Sequence, residues 1–385
     1  MNRRNKLIDL EALAQRSHRV ITSNQTPSGA YPASPAFSAY RGYCWFRDGA
    51  FIAEGVSRYG DAASAGAFHT WCARVLSDRT GHVDGLIARA ERGEHVPAAE
   101  LLPTRYTFDG GLGSDPWWDF QLDGYGTWLW AVSEHLRRHG EAPGTDDAYI
   151  QKGTATAVRY LNAFWDRPCY DWWEEHDEHR HLSTLGSIHA GLRAATSNPA
   201  LMDALSDAER AAAAEALDGI GSLTAEGVAD GHLTKWIGTT DVDASLLACV
   251  EPFGLVSRTS ATAEATVRAV EDQLCVNGGV HRYAADTFYG GGQWPLLTAF
   301  LGWNHAVAGR REAALECLRW VAEQATDDGE LPEQVDHHLL APDYRQEWID
   351  RWGTVATPLL WSHGMYLVLA TELGVAGNGS AGAAS

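Results

Sequence analysis

Hydrophobic residues recur along this sequence mainly at helical spacing, and the alternating pattern of a β-strand is sparse. Apolar residues at positions i, i+3 and i+4 predict twelve helices, over residues 7–21, 48–59, 61–77, 124–138, 150–165, 186–197, 207–227, 242–253, 260–275, 292–307, 310–326 and 357–373. Ser206 and Ser260 stand where they can cap the helices after them, Gly140 where a helix would stop, and Gly309 between two helical stretches. Alternating short and long connections between these helices predict six helical hairpins.

Six hairpins can close into a ring, and we therefore predict an all-α fold, an (α/α)6 barrel with a pocket at one end of its inner helices. An open solenoid of stacked hairpins is the competing architecture, but the sequence shows no repeat of fixed period. No linker rich in proline, glycine and serine divides the chain either. The sequence thus predicts one domain over residues 1–373, followed by a small, polar and flexible tail over residues 374–385.

The long connections hold the residues best suited to chemistry. They span residues 25–47, 82–123, 166–183, 231–241, 277–292 and 327–356. Connections longer than about 12–15 residues are usually functional or disordered. These are rich in tryptophan, tyrosine, histidine and glycine, which is not the composition of a disordered segment. We expect them to form the rim of one pocket.

Composition narrows the class of partner. The chain of 385 residues carries 50 acidic and 30 basic side chains, a net charge of −20, which argues against a nucleic acid or an anionic membrane. It also carries sixteen tryptophans, and flat rings beside carboxylates are typical of sites that hold sugars. We expect a small oligosaccharide as the partner, and the sequence leaves the oligomeric state open.

The compartment is predicted from the first residues of the chain and from the cysteines. No apolar segment of a secretory signal comes after the basic start, and no run approaches the roughly 20 apolar residues of a membrane span. The six cysteines are scattered without a C-x-x-C pair, which is typical of reduced thiols in the cytoplasm. We therefore predict a cytoplasmic protein.

Two clusters combine aromatic rings with charged groups. The first is Trp45, Arg47 and Asp48 with Tyr40 and Tyr43 beside them, which offers a stacking face and an ion pair for sugar hydroxyls. An arginine and an aspartate that merely form a salt bridge at a helix start are the alternative.

The second cluster is Trp172-Trp173-Glu174-Glu175. Apolar rings disfavour the ionised form of a neighbouring carboxyl, and the raised pKa suits a general acid. A solvated helix start is the alternative. Glu333 comes directly after a proline, which predicts an irregular turn.

The sequence shows little sign of a metal site or a cofactor site. His176, His179 and His181 lie close together and His337 adjoins His338, but H-x-x-H is not the i, i+4 spacing of the helical zinc motif. There is no P-loop, dinucleotide-binding fingerprint or G-x-S-x-G elbow. We predict neither a metal nor a cofactor.

Taken in order, these motifs resemble family 15 of the glycoside hydrolases, the glucoamylase family, from about Tyr31 to Leu369. The likeness extends to the family's isomaltose glucohydrolase and bacterial branch. It rests on the segments Trp45-Phe46-Arg47-Asp48, Trp173-Glu174-Glu175, Arg282 before Asp286-Thr287-Phe288-Tyr289, Pro332-Glu333-Gln334 and Trp361-Ser362. The resemblance implies that Glu174 is the general acid and Glu333 the general base. It implies as substrate-binding residues Tyr40, Trp45, Arg47, Asp48, Trp117, Trp173, Glu175, Trp236, Arg282, Phe288 and Trp361.

Two departures from the family pattern bear on the base. Members carry a tyrosine four places before the motif tryptophan, where this chain has Arg41 between Tyr40 and Tyr43. We expect one of these tyrosines to assist Glu333 and its water, and favour Tyr43. Phe288 replaces a tyrosine, which resembles the isomaltose-cleaving branch and should alter the pH profile.

The resemblance implies an exo-acting, inverting hydrolase that releases β-glucose from the non-reducing end of short α-glucosides, with α-1,6 linkages favoured. Activity on α-1,4 linkages or on α,α-trehalose stays open. So do two other classes, a sugar epimerase with a histidine pair on the same barrel and a non-catalytic sugar-binding protein.

Overall fold

The computed structural model describes residues 9–140 and 144–377, and this part of the chain is mainly helical. Its helices are α1 (Leu10–Asn24), α2 (Phe46–Tyr59), α3 (Ala62–Ser77), α4 (Thr80–Glu91), α5 (Asp123–His139), α6 (Asp147–Phe164), α7 (Leu182–Ser197), α8 (Pro199–Met202), α9 (Asp207–Glu226), α10 (Leu246–Val250), α11 (Ala261–Leu274), α12 (Pro295–Val307), α13 (Arg311–Glu323), α14 (Arg345–Trp352) and α15 (Leu360–Glu372). Three antiparallel pairs of short strands join β1 (Tyr43–Trp45) to β2 (Arg105–Thr107), β3 (Val228–Ala229) to β4 (His232–Leu233), and β5 (Cys275–Val276) to β6 (Gly279–Val280).

Six helices form a closed inner ring. In order around the ring they are α2, α5, α7, α10, α12 and α15, and α15 packs back against α2. Outside them lie α1, α3, α6, α9, α11 and α13. In an open solenoid the last helices would not reach the first. The predicted (α/α)6 barrel is therefore confirmed, and the solenoid is excluded.

Glycines set the close spacing of the inner ring. A Cβ atom on Gly55 of α2 would lie 2.3 Å from the carbonyl oxygen of Gly364 in α15. One on Gly126 of α5 would lie 2.3 Å from the carbonyl oxygen of Ser187 in α7. No side chain fits at these distances, so the backbones of neighbouring inner helices touch.

Aromatic side chains fill the centre of the ring. Phe51 of α2 stacks on Trp361 of α15, with ring centroids 5.5 Å apart, and meets Phe300 of α12 edge-on at 5.1 Å. The hydrophobic core runs from Leu13 in α1 to Ala376, four residues after α15.

The predicted helix ends are largely confirmed. Ser206 caps α9 in a capping box with Glu209, and Ser260 accepts the N–H of Ala263 at the start of α11. Gly140 comes directly after α5, and Gly309 lies between α12 and α13.

Three helix assignments from the sequence are wrong. Most of helix α4 lies in the predicted connection 82–123, and α14 lies within the predicted connection 327–356. Helix α4 buries only Val83 and Leu86, and α14 buries none of its residues, so neither segment has the frequent apolar residues that predict a buried helix. Conversely, only α10 forms within the predicted helix 242–253, because Asp243 accepts the backbone N–H of Ser245 and pairs with Tyr283.

The ordered chain continues past residue 374, where the sequence predicts the start of the tail. The backbone N–H groups of Val375 and Ala376 donate to the carbonyl of Ala370. Residues 378–385 of that tail lie outside the described residues. All six cysteines are free thiols, as predicted. In the described part of the chain, every helix is too short or too polar to cross a membrane.

Candidate active site

A pocket of about 410 Å³ opens at the end of the barrel where the inner helices begin. Trp45 precedes α2, Trp294 precedes α12, and Trp361 lies in the first turn of α15. Nine of the sixteen tryptophans line this pocket, namely Trp45, Trp117, Trp118, Trp172, Trp173, Trp294, Trp348, Trp352 and Trp361. The tryptophan-rich composition is therefore largely a property of one site.

Glu174 enters the pocket from the connection between α6 and α7. The indole Nε1 of Trp45 donates to its Oε1 at 2.7 Å. Trp45 ends β1, where it pairs with Arg105 of β2. Burial raises the pKa of Glu174 to about 7, against the opposing charge of Arg47. Glu174 is thus a carboxyl that can keep a proton near neutral pH.

A tight turn around Asp171 holds Glu174 in place. Oδ1 of Asp171 accepts the N–H of Trp173 at 2.9 Å and that of Glu175 at 3.0 Å. The carbonyl of Asp171 accepts the N–H of Glu174 at 3.0 Å. Glu174 itself has a φ of 64°, a left-handed backbone conformation that residues other than glycine rarely adopt. The surrounding hydrogen bonds stabilise this otherwise unfavourable conformation.

Glu333 faces the same pocket from the connection between α13 and α14. Its backbone N–H donates to the carbonyl of Ala356 at 2.9 Å, and the next side chain, Gln334, accepts the N–H of Gly292. The phenol of Tyr40 donates to Oε1 of Glu333 at 2.9 Å. Oε2 is buried and has no hydrogen-bond partner among the described residues. Burial raises the pKa of Glu333 to about 8, while the hydrogen bond from Tyr40 opposes the shift.

Arg47 and Asp48 form a polar end to the pocket, in the first turn of α2. Nη1 of Arg47 donates to Asp123 at 2.8 Å and also to Gln121. Nε of Arg47 lies 3.4 Å from Oδ2 of Asp48, yet neither atom has a hydrogen-bond partner among the described residues. Burial raises the pKa of Asp48 to about 6, although Arg47 opposes this. The pair can satisfy these atoms by binding hydroxyl groups of a ligand.

Arg282 contacts residues from two connections at the pocket rim. Its guanidinium binds the carboxylate of Asp286, and Nη2 lies 3.4 Å from Oε1 of Glu175. Asp286 also accepts the N–H of Phe288 at 2.8 Å. The guanidinium carbon lies 5.0 Å from the centroid of the Phe288 ring and 5.2 Å from that of Trp173. The predicted residues Arg282, Glu175 and Phe288 therefore meet at one wall.

The structure corrects the prediction that favoured Tyr43 as the helper of Glu333. The phenol of Tyr43 donates to Asp115, and the Arg105 guanidinium lies 3.9 Å from its ring centroid. Tyr40, not Tyr43, contacts Glu333. The backbone turns between these tyrosines, because the N–H of Tyr43 donates to the carbonyl of Tyr40, and this turn sends the two phenols to different partners.

Trp236 is a second correction. The sequence predicts that it binds substrate, but it does not line the pocket. Its ring stacks on His179 at 4.3 Å and lies 5.0 Å from His176. Trp236 therefore supports the loop after Glu175 and makes no pocket wall.

The remaining predicted ligands, Trp117, Trp173 and Trp361 among them, do line the pocket. Sequence reasoning did not assign several other lining residues to it, including Tyr170, His176, Trp294, Trp348 and Trp352. Trp348 and Trp352 are one turn apart on α14, and their i, i+4 spacing was a signal of a shared helix face.

The predicted histidine clusters do not come together in the pocket. The described residues contain no group of three or more histidine, cysteine, aspartate or glutamate side chains that could hold a metal ion. His337 and His338 are exposed, and of the described histidines only His176 lines the pocket. A histidine pair of the epimerase type is therefore not present in this pocket.

Comparison with known proteins gives one consistent family. The family described as glycosyl hydrolases family 15 matches residues 8–328, a range that ends before Glu333. An isomaltose glucohydrolase of Kribbella flavida is 60% identical over 371 residues, which cover 96% of this chain and 94% of that protein.

Solved structures agree with this. One described as a wild-type glycosidase superposes with a TM-score of 0.92 at 59% identity, over 98% of this chain and 100% of the other. A glucoamylase from Saccharomycopsis fibuligera superposes with a TM-score of 0.71 at 15% identity, over 95% of this chain and 96% of the other, and shows the same fold.

Proposed function

Since the chain belongs to family 15 of the glycosyl hydrolases, we propose that this glycoside hydrolase releases glucose from the non-reducing end of isomaltose and other short α-1,6-linked glucosides. The observation that carries the proposal is the meeting of Glu174 and Glu333 in one tryptophan-lined pocket. The isomaltose glucohydrolase of Kribbella flavida, at 60% identity, supports the linkage. A cytoplasmic location stays a prediction from the sequence.

In the proposed reaction the two carboxyls act on opposite faces of the sugar. Protonated Glu174 donates its proton to the glycosidic oxygen as the bond to C1 breaks. Ionised Glu333 takes a proton from the water that attacks C1 from the other side. This single displacement inverts the anomer, so an α-glucoside yields β-glucose. Arg47 and Asp48 bind the hydroxyls of the terminal glucose, and the closed end of the pocket makes the enzyme exo-acting.

The two raised pKa values make the proton count of the pair important. Burial raises the pKa of Glu174 to about 7 and that of Glu333 to about 8. In the reactive form the pair holds one proton, and this proton is on Glu174. This form is in equilibrium with an unreactive form in which Glu333 holds the proton. Hydrogen bonds that favour ionised Glu333, such as the one from Tyr40, increase the reactive share.

A proton NMR time course with isomaltose, maltose and trehalose tests the reaction. We expect the anomeric signal of β-glucose to appear first, and fastest from isomaltose. β-Glucose mainly from maltose or trehalose would contradict the linkage but keep the two carboxyls. Early α-glucose would contradict the inverting mechanism.

Tyr40→Phe is expected to lower the maximum of kcat/KM by about 10-fold and to move the basic limb of the profile to higher pH. The Tyr40 hydrogen bond lowers the pKa of Glu333, and a hydrogen bond to a charged group is worth about 1.5–3 kcal/mol, so its loss should raise that pKa by about one unit. Glu333 then holds the single proton of the pair more often, so the reactive share falls, and the pair loses its last proton at higher pH. Tyr43→Phe is the matched control, because its phenol contacts Asp115 instead. An unmoved limb in Tyr40→Phe would contradict the role of the hydrogen bond.

A further inference from the structure

Lys235 is a buried cation outside the pocket, and it is one of three lysines in the sequence. It is 4% exposed and does not line the pocket. Its ammonium lies 2.7 Å from Oδ2 of Asp243 and 3.2 Å from Oδ2 of Asp171. Burial opposes its charge, but these two carboxylates outweigh burial and hold the pKa of Lys235 above its usual value.

Each neighbour of Lys235 reaches the segment 171–175, which carries Glu174. The other oxygen of Asp171 accepts the N–H groups that shape the turn. Asp243 accepts the indole N–H of Trp173 at 2.9 Å. The ammonium also lies 3.5 Å from the ring centroid of Tyr283, whose phenol donates to Glu175.

We infer that Lys235 is a positioning residue for the general acid: it holds Asp171, Asp243 and Tyr283 so that the turn between them presents Glu174 to the glycosidic oxygen. The inference rests on the proposed function, in which Glu174 is that acid. Glu174 occupies a left-handed conformation, so its direction depends on the contacts around the turn. Without the ammonium, Asp171 and Asp243 would be two buried carboxylates with no cation between them, and the turn would lose its anchor.

The test compares two substrates whose leaving groups differ in their need for an acid. The leaving group of isomaltose departs as a sugar alkoxide unless it is protonated, whereas that of α-glucosyl fluoride departs as fluoride, a far weaker base. We expect Lys235→Gln to lower kcat on isomaltose by about 10²-fold, the cost of an acid displaced by about 1 Å. The loss on α-glucosyl fluoride should stay within about 3-fold, because little of the acid's contribution is needed there.

Lys235→Arg keeps the charge and is expected to restore part of the isomaltose activity. Lys152→Gln, exposed on α6, is the matched control and should leave both rates unchanged. Asp171→Asn is the second variant, in case Lys235→Gln does not fold. Its amide oxygen can still accept both backbone N–H groups, and Lys235 keeps its contacts with Asp243 and Tyr283, so only the direct ion pair between Lys235 and the turn is removed.

Equal losses on both substrates in a folded variant, or no loss in Asp171→Asn, would overturn the inference. Thermal unfolding shows which variants are folded. Glu174→Gln, measured beside them, separates the inference from the proposed function. If Glu174→Gln loses activity equally on both substrates, the assignment of the acid fails. If Glu174→Gln keeps its activity on α-glucosyl fluoride but the Lys235 and Asp171 variants do not, only the positioning role fails.

Discussion

Glu174→Gln is expected to lower kcat on isomaltose by about 10²–10⁴-fold, the usual contribution of a general acid. The amide has no acidic proton to give to the glycosidic oxygen. Its oxygen can still accept the indole N–H of Trp45, which now binds Oε1 of Glu174. The pocket should therefore keep its shape, and KM should change less than kcat.

The leaving group makes this prediction specific. On α-glucosyl fluoride, Glu174→Gln should keep activity within about 10-fold, because fluoride departs with little protonation. The basic limb of the pH profile should also disappear, because the wild-type pair loses activity when its last proton leaves, whereas the variant needs only ionised Glu333. Glu178→Gln, exposed in the same loop, serves as the control. Near-normal isomaltose hydrolysis by Glu174→Gln would remove this residue from the mechanism.

Glu333→Gln is expected to lower kcat by about 10²–10⁴-fold on both substrates alike. Water must be deprotonated whichever group leaves, so a better leaving group does not compensate for a missing base. Oε2 of Glu333 is buried and has no hydrogen-bond partner among the described residues, which suits an oxygen that binds the attacking water.

Glu330→Gln is the control for this variant, three residues earlier in the same connection and outside the pocket. Steady-state rates with isomaltose and α-glucosyl fluoride measure the effect. If Glu333→Gln kept its activity on α-glucosyl fluoride alone, Glu333 would be the acid and Glu174 the base. A variant that is fully active on both substrates would falsify the base assignment.

The sequence predicted the barrel because its inner helices carry long apolar faces. Helices α2, α5, α7, α12 and α15 bury most of their residues, so apolar residues are frequent along them and indicate helices, although no side chain caps their N-termini. Helix α14 is only eight residues long, is mostly polar and buries none of its residues fully, so the sequence predicts a long connection there. That helix supplies Trp348 and Trp352 to the pocket, so these two pocket residues were missed from the sequence.

The candidate carboxyls, too, were visible in the sequence. Trp173-Glu174-Glu175 and Pro332-Glu333-Gln334 are local motifs, and the side chains that they predict for the pocket do lie there. The partners of those side chains were not visible. Tyr40 and Glu333 are 293 residues apart, and Trp45 and Glu174 are 129 residues apart.

The sequence by itself therefore determined the twelve-helix barrel, the family and the two carboxyls, because each depends on periodicity or on residues that are neighbours in the chain. Only the tertiary structure decided that Tyr40 rather than Tyr43 contacts Glu333, that Trp236 packs against His179, and that Lys235 pairs with Asp171 in the turn of Glu174. These outcomes depend on how distant connections fold over one end of the ring. A turn of four residues sends Tyr40 and Tyr43 to different partners, and no local pattern specifies which of them reaches the pocket.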